Sequence, residues 1–87
     1  MPYIRNQERI VLDDAILELG RKIETPGQLS YAITKLSLCL IEELGECYST
    51  FALIDGVLDC TKQEFVRRVI EPYEEQKRLT NGDVYEE

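Results

Sequence analysis

The sequence predicts an all-α protein, a small bundle of three main helices plus a short C-terminal helix, completed by homo-oligomerisation. Three observations predict it. Apolar residues recur at three- and four-residue steps in three successive segments, which is the spacing of a helix with one buried stripe. No segment alternates strictly between apolar and polar residues, as a half-buried strand would. Helix-start and helix-stop residues punctuate the segments, most clearly in "TPGQ" and at Gly45.

The first helix is read from "NQERIVLDDAILELGRKI", where Ile10, Leu12, Ile16, Leu17, Leu19 and Ile23 form the stripe. Asn6 is the expected N-cap, with Asp13 an alternative start, and Arg21 and Lys22 suit the negative end of the helix dipole. In "TPGQ", Thr25 caps, Pro26 takes the first helical position and Gln28 completes a capping box. The second helix then carries Leu29, Ile33, Leu36, Leu40 and Leu44 on one stripe, with Cys39 expected as a buried small hydrophobe, and Gly45 ends it. Ser49 or Thr50 is the expected cap of the third helix, whose inner face is Phe51, Ile54, Leu58, Phe65 and Val69. Pro72 lacks an N–H and should stop or kink that helix near Ile70–Glu71, leaving "YEEQKRL" as a short continuation before the Asn81-Gly82 turn. The chain reads as one domain, 1–87, with an N-terminal arm (1–6) and a C-terminal tail (80–87).

Composition narrows the function. There is no histidine among the 87 residues, which removes the usual general base near neutral pH and with it Ser-His and Cys-His nucleophile chemistry. Three cysteines without a CxxC pair form neither a disulfide framework nor a four-ligand zinc site. Seventeen acids against ten bases give a net charge of −7, which disfavours duplex nucleic acid as a partner. With no apolar run of about 18 residues and no signal-like leader, the expected location is the cytoplasm and no membrane partner is expected. No cofactor, catalytic residue or metal ligand is assigned.

Two clusters carry candidate chemistry. Glu42, Glu43 and Glu46 form an E-E-x-x-E set that resembles the first half of the Mg²⁺ motif in all-α, MazG-like NTP pyrophosphohydrolases. The E-x-x-D set of that family is missing, because Asp55 and Asp59 are too close and wrongly spaced. Solvation of a helix end is the simpler explanation. Arg67, Arg68 and Tyr73 offer guanidinium forks for phosphate and an aromatic face for a base, although four-residue pairs Glu64–Arg68 and Arg67–Glu71 would explain the arginines as ordinary surface partners.

"MPYI", "TPGQLSYAITKL" and "GVLDCTKQEFVRRVIEPYEEQKRLTNGDVY" resemble a family of small uncharacterised proteins of phages and prokaryotic genomes. The shared C-terminal pattern is GVLxxxKxEFxRRVxxPYExxKxxxNGDVY. The resemblance spans nearly the whole chain and implies a phage setting, hence host cytoplasm. It also ties Arg67, Arg68, Pro72, Tyr73, Asn81, Gly82, Asp83 and Tyr85 into one signature, either as a clasp in which Tyr85 or Asp83 reaches back to Arg67 or Arg68, or as a pocket. The resulting expectation is a non-enzymatic phage accessory protein. It binds and sequesters a small nucleotide-like anion through Arg67, Arg68, Tyr73, Asn81 and Tyr85, as an anti-defence sponge. The alternative is a protein–protein module that inhibits or scaffolds a host or phage protein, and a third reading is Mg²⁺-dependent NTP pyrophosphate hydrolysis through Glu42, Glu43 and Glu46.

Overall fold

The computed structural model describes residues 2–85; Met1 of the expected arm and Glu86 and Glu87 of the expected tail lie outside it. The described residues are helical with no strand, and they divide into two units, Pro2–Asp55 and 56–85.

The first unit holds α1 (Asn6–Lys22), α2 (Pro26–Leu44) and the opening turns of α3 (Tyr48–Phe65). Helix α1 is capped by Arg5, one residue before the expected Asn6, because the Glu8 carboxylate accepts from the Arg5 backbone N–H at 3.1 Å and from its guanidinium at 3.4 Å. The α2 capping box forms as the sequence predicts: Gln28 N–H donates to Thr25 Oγ1 at 3.1 Å, and Gln28 Oε1 accepts from Thr25 N–H at 3.1 Å. Gly45 ends α2 with φ 97°, a backbone conformation that disfavours a side chain, and its N–H donates to Ile41 O at 2.8 Å. Ser49 and Thr50 are not the cap of α3. The helix starts at Tyr48, Cys47 O accepts the Phe51 N–H at 3.0 Å, and both hydroxyl residues sit inside the first turn.

Burial departs from the expectation of a bundle core. Helices α1 and α2 do not pack side by side. Ile23 and Thr25 between them are extended, and no residue of that connection takes a positive φ. The stripes therefore stay open: Ile16 is 58% exposed and Leu36 60%. Cys39, expected inside, is exposed as well. Among the described residues only Ala32, Thr50 and Ile54 are buried.

The second unit is built on one continuous helical stretch. The remainder of α3 passes through a π turn, Val66–Ile70, into α4 (Glu71–Asn81). Pro72 does not stop the helix. Its ring would collide with the carbonyl four residues back, and the widened turn just upstream absorbs that clash. The register change is visible where Glu71 N–H donates to Val66 O, five residues earlier. Gly82 closes α4 with φ 95°, its N–H donating to Arg78 O at 2.9 Å.

Candidate functional site

The "VRRVI" segment is the π turn itself, so both arginines of the candidate site lie where the helix is irregular. Single π turns inside α-helices recur at functional sites. Arg67 pairs with Glu64, three residues back, and neither of the expected four-residue pairs, Arg67–Glu71 and Glu64–Arg68, is formed among the described residues. Arg68 is exposed and forms no ion pair among the described residues.

Beside the π turn runs an open groove of about 630 Å³ that includes Arg67 and Lys62, but also the carboxylates of Asp59, Glu64 and Glu71. Acids outnumber bases among the residues that line it. Tyr73, 59% exposed, lies beyond it and engages Lys77, whose Nζ stands 5.5 Å from the ring centroid.

Asn81 and Tyr85 are brought together elsewhere, in an open cleft of about 600 Å³ between the end of α4 and the tail. The organising residue there is Arg78, which the sequence reading left out. Its Nη2 and Nε contact the two Glu75 oxygens at 2.6 and 3.1 Å, and its Nη1 lies 3.7 Å from Asp83 Oδ2. Asp83 Oδ1 in turn accepts the Tyr85 N–H at 2.9 Å. The tail is thus clasped, but to Arg78 and not to Arg67 or Arg68. Hydrogen bonding to Arg78 and then its charge hold the Glu75 carboxyl below its ordinary range, and Glu75 correspondingly raises Arg78. The signal for this contact was present: Glu75 three residues before Arg78, and Gly82 four residues after it. The five expected ligand residues therefore do not converge in one chain: Arg67 faces the groove, Asn81 and Tyr85 line the cleft, and Arg68 and Tyr73 line neither.

The acidic set near Gly45 does not share a helix. Helix α2 ends at Leu44, so Glu42 and Glu43 belong to it and Glu46 does not. The helical spacing that gave the pyrophosphohydrolase likeness is broken. No group of three or more Cys, Asp or Glu residues suited to a metal ion occurs among the described residues. Cys47 is the other perturbed group. Its Sγ lies 3.2 Å from Ser49 Oγ and 3.4 Å from Thr50 Oγ1, and those hydroxyls, Ser49 first, lower the thiol to about 7.

No helix among the described residues is long and apolar enough to cross a membrane. Residues 1–84 match the model of a family described as a domain of unknown function (DUF6899), and the chain belongs to that family. Comparison with curated proteins and with solved structures gives no match.

Proposed function

We propose that this member of the DUF6899 family is a non-enzymatic association protein, assembling with copies of itself and binding its target in the assembled form. The observation that carries the reading is the exposure of the apolar stripes of α1 and α2, which one chain leaves uncovered. Contiguous exposed apolar surface on a small protein marks an interaction face. Symmetric self-association is the common way for a short chain to complete a core. The test is native mass spectrometry of the full chain. Homo-oligomer at micromolar concentration is the expected result; a monomer that keeps its helical content would overturn the reading.

A second reading concerns what the assembly binds. The guanidinium of Arg68, without an ion pair among the described residues, lies on an irregular turn beside Arg67 and favours local capture of a small nucleotide-like anion against the chain's net charge of −7. Phosphate would take the guanidinium forks and Tyr73 would stack on a base. Because the five residues are split in one chain, a second copy has to supply part of the pocket. Such capture would suit a phage anti-defence sponge acting in the host cytoplasm. Titration calorimetry against a panel of cyclic nucleotides tests it: one member binds, and Arg67→Ala with Arg68→Ala weakens it at least tenfold. No binding by any member, or equal binding by the double variant, removes this reading.

A further inference from the structure

The charges of α2 are arranged backwards for its own dipole. A helix favours acids in its first turn and bases in its last. Helix α1 follows that rule, with Glu8 at the start and Arg21 and Lys22 at the end, and α4 follows it with Glu71, Glu74 and Arg78. Helix α2 has no acid in its first turn and no base in its last, and it places Glu42 and Glu43 near its negative C-terminus. Nothing within α2 offsets this cost.

The same helix bears an open apolar seam: Leu29, Ile33, Leu36, Leu40 and Leu44, each at least two-fifths exposed. The seam is nearly symmetric about its middle, since the steps between these residues read 4-3-4-4 from one end and 4-4-3-4 from the other. A two-fold operation therefore superposes apolar on apolar along its length. Ser37 lies at the seam's edge and already donates its hydroxyl to Ile33 O at 2.8 Å, so covering it strands no polar atom.

From these observations we infer that α2 pairs with α2 of a second copy of this chain, antiparallel, across a two-fold axis near the middle of the seam. This rests on the self-assembly proposed above. Antiparallel pairing sets Glu42 and Glu43 of each copy beside the positive N-terminus of the other, whose first turn carries no acid and whose flanking residues are Arg21, Lys22 and the single acid Glu24. Parallel pairing would set the four carboxylates together at two negative helix ends. The same apolar seam thus has one orientation that relieves the charge conflict and one that doubles it.

Cross-linking decides the orientation. In a full-length background with Cys39, Cys47 and Cys60 changed to serine, Leu29→Cys and Leu44→Cys proteins are treated with a short bifunctional thiol reagent, separately and after mixing. Antiparallel copies hold the two position-29 thiols about 20 Å apart along the axis, at 1.5 Å per residue, and bring 29 near 44 of the partner. The expected result is covalent dimer in the mixture and little in either protein alone. Efficient dimer from each protein alone means parallel pairing and overturns the inference while leaving self-assembly standing. A monomer in native mass spectrometry before cross-linking fails the self-assembly reading itself. Oligomer without a cross-link in any arm means that another face joins the copies, and that too overturns the inference.

A second measurement does not depend on the cysteine variants. Glu42→Gln with Glu43→Gln should weaken dimerisation severalfold if the pairing is antiparallel. Tighter dimerisation would indicate parallel chains, and no change would remove the charge argument.

Discussion

Helices α2 and α4 solve the problem of being a helix in opposite ways. Helix α4 is polar and locally self-sufficient. It has acids at its start, Arg78 near its end holding Glu75 and Asp83, Lys77 over Tyr73, and Gly82 closing it. Helix α2 is apolar, carries its acids at the wrong end and bonds its own hydroxyls inward through Thr34 and Ser37. Apart from its capping box, its apolar stripe stands open in the single chain. Most helical stability in proteins comes from packing an apolar face, and short helices without it are marginal. The comparison teaches that α2 leaves an apolar face open where α4 satisfies its charges within its own turns.

The sharpest way to break this comparison is to damage the α2 seam. Leu40→Ala removes about 1.5–3 kcal/mol of burial per side chain, and a two-fold dimer loses it twice. The expected effect is a dimer weakened by two orders of magnitude or more, read by sedimentation. The matching change on α4, Leu79→Ala, should leave the association constant nearly unchanged.

Next in size is Pro72→Ala. Relief of the clash should let Val66–Ile70 relax to α geometry and strengthen that stretch by up to about 3 kcal/mol, visible as slower amide exchange at Ile70 and Glu71. The same change should move Arg67 and Arg68 out of their present register.

Thr25→Ala should cost about 1 kcal/mol, read from thermal unfolding, because it removes the hydroxyl that accepts Gln28 N–H. Smaller still is the acid response of the tail clasp. Glu75 is depressed by Arg78, so its contribution is present above the ordinary glutamate range and is lost as pH falls through the lowered value. NMR shifts of Asp83 and Tyr85 amides should follow that titration, and Arg78→Gln should abolish the response.

Cys47 gives a local check on the start of α3. Its thiol is lowered to about 7, so alkylation of Cys47 should rise with a midpoint near pH 7. Any stabilisation from the thiolate is present at higher pH and fades as pH falls through that value. Ser49→Ala should move the midpoint upward.

Local rules made the helices legible. The Thr25–Gln28 box and the two closing glycines depend on residues a few positions apart, and they stand where the pattern put them. Pro72 was legible as a disturbance but not as a π turn, because a proline gives the clash without saying which upstream turn yields. The clasp was legible as an idea and misassigned in its partner, since Arg78 sits one turn from the tail and Arg67 is separated from it by most of α4. The absence of a bundle core was not legible, because periodicity names an apolar face and says nothing of whether a neighbouring helix of the chain packs on it.

The most direct test of the proposed self-assembly is sedimentation equilibrium combined with circular dichroism on the full chain across a dilution series. Coupled loss of mass and helicity is the predicted outcome, as α2 loses its cover when the copies separate. A single species of monomer mass whose helicity is constant at every concentration would contradict the account.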